Sequence, residues 1–179
     1  MDINQLIEAV ISREGGYVDN ANDRGGPTNY GITETVARSQ GYSGAMRDLP
    51  RAEAVAIYLR LYWLRPRLDK VAEHAPALAA KLLDISVNMG PSSAIGFLKR
   101  ALNAINRTDS AAPNFASVSN VDDALLAALQ GFLTTRGADG EAVLVKAVNA
   151  LQGAQYIAIA ERRPADKVFT YGWIKNRIG

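Results

Sequence analysis

The residues best suited to chemistry cluster near the start of the chain. Ser12-Arg13-Glu14-Gly15-Gly16-Tyr17 puts a carboxylate at the end of a helical run, just before the chain reverses. A helix C-terminus carries partial negative charge and disfavours an ionised carboxylate, and burial against Tyr17 or Tyr30 would act in the same direction. A carboxylic acid still protonated near neutral pH can give its proton to a departing glycosidic oxygen, so this is a fitting position for a general acid. A solvated last-turn glutamate fits the same position, and position alone favours that plainer reading.

Asp23 stands nine residues after Glu14, enough chain to turn and face it across a groove; Asp19, Thr28 and Asn29 are further polar groups nearby. A second carboxylate or a hydroxyl there can hold the water that attacks the anomeric carbon in an inverting mechanism, where about 6.5–9.5 Å separates the two groups. Asp and Asn before Gly are also ordinary turn residues, so a purely structural reading stays open. Tyr17 and Tyr30 are candidates to stack on sugar faces, Tyr30 first, whereas Trp63 and Trp173 are expected mainly to fill core. Asn88, in Leu83-Asp-Ile-Ser-Val-Asn-Met-Gly90, can hydrogen-bond an N-acetyl group through its amide or satisfy a helix carbonyl.

The elements that must hold these groups are mostly helical. Ile3, Leu6, Ile7, Val10 and Ile11 repeat at helical spacing behind Asp2 as N-cap and Gln5 as capping-box partner, so the first helix runs to Glu14 and stops at Gly15-Gly16. Tyr17 to Thr33 reads as a small hairpin turning at Asn22–Pro27. Thr33 caps a short helix to about Gln40. Pro50 opens another that carries Val55, Ile57, Tyr58, Leu61 and Tyr62 inward and ends at Pro66. Pro76 starts a helix closed by Gly90-Pro91, and Ile95, Phe97, Leu98, Leu102 and Ile105 make the next. Residues 106–120 form a linker, and helices return over 121–136, 140–163 and a short terminal segment.

Composition removes several chemistries. The 179 residues are 48% apolar, enough for a real core, and a formal charge of +2 with 21% charged residues lacks the basic face of a nucleic-acid binder. Without cysteine there is no disulfide, thiol nucleophile or thiolate metal site, and the single histidine, His74, reads as an ordinary exposed residue. No metal and no cofactor are expected, and no protein partner is implied, so the chain reads as a monomer. The terminal region carries Arg162, Arg163, Lys167, Lys175 and Arg177 against Glu161 and Asp166. That basic excess is either a solvated face or an aid to binding anionic wall polymers or lipids. Met1-Asp-Ile runs directly into the helix pattern, so the sequence presents no signal peptide.

The segments Glu14-Gly-Gly-Tyr-Val-Asp-Asn20 and Asp23-Arg-Gly-Gly-Pro-Thr-Asn-Tyr-Gly-Ile-Thr33 closely resemble the opening of glycoside hydrolase family 108. Ile57-Tyr58 through Tyr62-Trp63, Leu83 to Gly90, and Phe169-Thr-Tyr-Gly-Trp-Ile-Lys-Asn-Arg177 continue the resemblance in the family's order. The family consists of N-acetylmuramidases found as phage endolysins and related bacterial enzymes. The length and ending look most like endolysins of phages that infect Gram-negative bacteria.

The resemblance implies a mainly α, lysozyme-like fold with a small β-hairpin after the first helix and a helical bundle. Residues 1–90 would be the catalytic region, with 91–179 a helical peptidoglycan-binding-like region packed on it as one compact unit. It implies that Glu14 is the catalytic glutamate, acting on the β-1,4 bond between N-acetylmuramic acid and N-acetylglucosamine in peptidoglycan glycan strands. Related phage lysozymes use a Glu, Asp, Thr triad in a similar setting; Asp23 keeps its first interval, whereas Thr28 falls one residue short of the second, where Asn29 stands. Asp23 and Thr28 are thus the further catalytic candidates, and Tyr17, Asn29, Tyr30 and Asn88 the substrate-binding ones. A glutamate-only lytic transglycosylase forming 1,6-anhydro products and a non-catalytic peptidoglycan-binding module are the alternatives. The expected site of action is the wall in the periplasm, reached from the bacterial host cytoplasm after holin-type or other release.

Overall fold

A computed structural model describes residues 2–19, 26–105 and 120–178. Among the described residues the chain is mainly α, with one small antiparallel hairpin after the first helix and helices thereafter, the lysozyme-like class expected. It forms two compact units, Met1–Leu64 and Arg65–Gly179.

In the first unit, α1 (Ile3–Glu14) starts where the Asp2 carboxylate accepts from the backbone N–H of Asn4 at 2.9 Å and of Gln5 at 3.4 Å. Such a cap stabilises a helix by about 1 kcal/mol. Ile7, Val10 and Ile11 form its buried stripe, and the helix ends at Gly15, whose φ of 87° suits glycine alone. The strands β1 (Thr28–Asn29) and β2 (Ile32–Thr33) pair Thr28 with Thr33 and Asn29 with Ile32. Tyr30 and Gly31 between them both have positive φ, 53° and 74°, the pattern of a two-residue type I′ turn. The expected reversal at Asn22–Pro27 falls largely outside the described residues, but Val18 and Thr28 exchange both backbone hydrogen bonds as an isolated antiparallel bridge.

Thr33 then caps α2 (Glu34–Ser39), accepting from the Val36 N–H at 3.3 Å. Pro50 is the N-cap of α3 (Arg51–Tyr58) rather than its first residue, and α3 passes directly into a π-helical turn, Leu59–Leu64. That turn corrects one expectation. An α-helix would carry the inward face from Ile57 and Tyr58 to Leu61 and Tyr62, but the wider i→i+5 spacing moves it to Trp63, leaving Leu61 and Tyr62 half-buried.

The second unit begins with a short helix the sequence pattern did not suggest, α4 (Leu68–Ala72). α5 (Pro76–Met89) and α6 (Pro91–Ile105) follow, each with proline in its first turn, separated by Gly90 at φ 87°. α7 (Asp123–Arg136), α8 (Asp139–Arg162) and α9 (Lys167–Arg177) complete it. Its core joins Leu82 and Ile85 of α5, Ile95, Leu98 and Leu102 of α6, and Leu144 and Val148 of α8, all fully buried. Ala75 offers no capping side chain to α5, and Glu141 of α8 does the work instead, its Oε1 accepting from Ala77 N at 2.6 Å and Leu78 N at 3.0 Å. α8 is long and apolar enough to cross a membrane by length and composition, but it lays Leu144, Val148, Gln152, Tyr156 and Ala160 into this bundle. His74 is exposed, as expected, with a ring nitrogen 2.7 Å from the Gln130 amide. The predicted linker, 106–120, lies outside the described residues except for Ser119's neighbour Asn120, a bend.

Candidate active site

Glu14 is the last residue of α1 and is half-buried. The hairpin tip closes directly on its side chain. A Cβ at Gly31 would stand 2.8 Å from Glu14 Cβ, 3.2 Å from Glu14 Cγ and 2.9 Å from the Tyr58 hydroxyl oxygen. Only a residue with no side chain and free access to positive φ fits there. The buried Tyr58 fixes the tip from the other side, its hydroxyl donating to the Tyr30 carbonyl at 2.9 Å. The end of α1, the hairpin turn and the end of α3 therefore meet at Gly31, against the stem of Glu14.

Tyr62, in the π turn, sits 5.3 Å from the Tyr58 ring, centroid to centroid. Burial first, and then the nearby Glu14 charge, push its phenol above the ordinary tyrosine value. The carboxyl thus faces a neutral, half-buried phenol across a wide pH range.

The two candidate stacking tyrosines are each covered by an arginine. Arg51 lies over Tyr30, 5.5 Å from the ring centroid, while its Nε donates to Glu8 at 2.7 Å and its Nη2 to Ser12 Oγ at 3.1 Å. The hydrogen bond to Glu8 is the first cause that raises the Arg51 value. Arg47 lies 5.2 Å over Tyr17, whose hydroxyl donates to Asp19 at 3.1 Å. Exposed ion pairs of this kind contribute little to stability; here they set ring orientation.

Asn29 departs from the sequence expectation. It is 4% exposed, and its Nδ2 donates to the Met46 carbonyl at 2.9 Å and the Arg47 carbonyl at 3.3 Å. It pins the hairpin to the 3₁₀ turn Met46–Asp48 instead of presenting an amide to a ligand. Thr28, its neighbour on β1, is half-buried, and alternation along the strand turns its side chain to the opposite face of the hairpin. Asp23 lies outside the described residues. Asn88 belongs to the second unit, near the end of α5, where its Oδ1 accepts from the Tyr156 hydroxyl at 2.7 Å. Gly31 and the π turn were not singled out from sequence, and Tyr58 was read as an inward residue rather than as part of the site; the Tyr-Gly pair between two short strand-like runs was the available signal for the turn.

Residues 7–90 match the family Glycosyl hydrolase 108, and residues 96–178 match the family described as Predicted Peptidoglycan domain. The boundary between these matches follows α5, whereas the compact units divide before α4. The solved structure of SagA from Brucella abortus is similar to this chain with a TM-score of 0.70 and 21% identity, over 98% of this chain and 88% of SagA, a likeness of fold. No relative among curated proteins matches it. Residues 7–90 thus carry a glycosyl hydrolase 108 domain, a predicted peptidoglycan domain follows it, and the pair identify a glycoside hydrolase acting on peptidoglycan.

Proposed function

We propose that the chain is an N-acetylmuramidase that hydrolyses the β-1,4 bond between N-acetylmuramic acid and N-acetylglucosamine, with Glu14 as general acid. The observation that carries this reading is the closure of the Tyr30-Gly31 turn on the Glu14 stem, braced by Tyr58. A glutamate whose stem is packed against a braced turn is restricted in geometry, which favours proton donation to a glycosidic oxygen. As the C–O bond breaks, Glu14 gives its proton to the leaving oxygen, and a water adds to the anomeric carbon while passing a proton to Asp23. Asp23 is the group we assign to hold that water, with Thr28 as a lesser contributor.

A lytic transglycosylase would complete the same cleavage with the muramyl 6-hydroxyl in place of water. The two outcomes differ by the mass of one water in the released muropeptides, so mass spectrometry of digested peptidoglycan tests the reading: reducing-end muramic acid supports hydrolysis, and 1,6-anhydro products overturn it. The biological role we assign is that of an endolysin reaching the wall after holin-type release. Lysis of host cells only when a membrane-permeabilising partner is co-expressed would support that role; lysis without one would contradict it.

A further inference from the structure

The second unit contains a groove of about 320 Å³ between the α5–α6 junction and α8–α9. Its walls come from Asn88 and Met89 on one side and Gln155, Ile159, Arg163 and Trp173 on the other. A hydrogen-bond relay sets the polar wall. Gln152, fully buried, donates to the Tyr156 hydroxyl at 3.1 Å, and that hydroxyl donates to Asn88 Oδ1 at 2.7 Å. The bond engages the Asn88 oxygen, and the amide nitrogen is the donor that this groove-lining residue can offer a ligand. Trp173 was expected to be packing, yet it is only half-buried. It stacks on Tyr156 at 5.3 Å and Phe169 at 5.9 Å, which holds the indole rigid where it lines the groove. Arg163 pairs through Nε with Asp166 at 3.0 Å, which orients the guanidinium while its terminal nitrogens remain for another anion.

We infer that this groove binds an N-acetylated sugar that bears a carboxylate, a muramyl residue with its lactyl or stem-peptide acid. The inference rests on the reading that the chain acts on peptidoglycan and gives its second unit a specific ligand surface. An acetamido group needs a donor for its carbonyl, supplied by Asn88 or Gln155, and an apolar seat for its methyl, supplied by Met89 and Ile159. The indole offers a flat apolar contact for a sugar ring. A guanidinium fork at the rim pairs two-pronged with a carboxylate. A sugar lacking the carboxylate would leave Arg163 without that pairing.

The test uses full-length Glu14→Gln protein, so that ligand is not consumed, titrated with a soluble N-acetylglucosaminyl-N-acetylmuramyl peptide and, separately, with chitotetraose. The readout is the indole N–H resonance of Trp173, with the buried Trp63 as internal reference, since the chain has two tryptophans. The expected result is a saturable Trp173 shift with the muropeptide, with affinity about tenfold or more above chitotetraose. Arg163→Gln should abolish that preference and Arg163→Lys should retain part of it. An unmoved Trp173 at saturating muropeptide, or equal response to both ligands, overturns the inference. If wild-type protein digests purified peptidoglycan while Trp173 stays silent, the groove assignment fails alone. If it neither digests nor binds any wall fragment, the underlying reading fails with it.

Discussion

Gly31 and Glu14 touch so closely that a single methyl group on Gly31 would stand 2.8 Å from the Glu14 Cβ. The contact joins a hairpin turn to a helix end 17 residues earlier, as read from their positions. Gly31→Ala adds that methyl and also forces an L side chain to φ 74°, which alone costs about 1–2 kcal/mol. Chemical denaturation should register at least that loss. Displacing a catalytic group by about 1 Å can cost on the order of 10²-fold in rate, so cleavage of purified peptidoglycan should fall further than stability explains. Wild-type stability and turnover in Gly31→Ala would show that the turn does not brace Glu14.

Tyr62 offers a reading of the same site that does not depend on activity. Its phenol lies above the ordinary value near 10, by burial first and by the Glu14 charge second. Glu14→Gln removes the charge and leaves the burial, so the tyrosinate ultraviolet titration should move partway back toward 10, and the difference should vanish in a Tyr62→Phe background. Because the folded value is raised, the associated stability is fully present below about pH 10 and is lost as pH climbs through the folded value. Superimposable titrations of wild type and Glu14→Gln would separate the two residues.

Asn29 is predicted to matter for stability. Asn29→Ala leaves the buried Met46 carbonyl, and the part-buried one of Arg47, without their donor, a loss of about 1–3 kcal/mol. Thermal and denaturant unfolding should both report it, and activity of the remaining folded protein should persist. Unchanged stability with lost substrate affinity would instead return Asn29 to the substrate surface.

For Asp23 and Thr28 the effects should be graded. Asp23→Asn should lower turnover substantially, whereas Thr28→Ala removes one hydroxyl worth about 1 kcal/mol and should cost roughly fivefold. A correctly folded Asp23→Asn protein with wild-type turnover would remove Asp23 from the mechanism.

The elements were readable wherever a local rule decides them. Asp2, Thr33, Pro76 and the Gly90-Pro91 boundary act within a turn or so of their own position, and each does in the fold what its side chain suggests. The misses are contacts between distant residues. Nothing in Asn29 itself announces that the 46–47 carbonyls, 17 and 18 residues away, will take its amide. Tyrosine is a poor guide to positive φ, so the Tyr30-Gly31 turn was hidden behind the Asn, Asp and Gly of the preceding stretch. The π turn follows no 3.6-residue period, so the helical pattern carried Leu61 and Tyr62 inward as well, although Trp63 was rightly expected in the core.

The central claim is that Glu14 donates the proton, and Glu14→Gln tests it most directly. The amide keeps nearly the same shape against Gly31 and can hydrogen-bond, but it cannot deliver a proton. General acid catalysis is worth about 10²–10⁴-fold, so turnover on purified peptidoglycan should fall by at least the lower figure while folding and wall binding persist. A Glu14→Gln protein that folds normally and keeps more than roughly a tenth of wild-type activity would contradict the account.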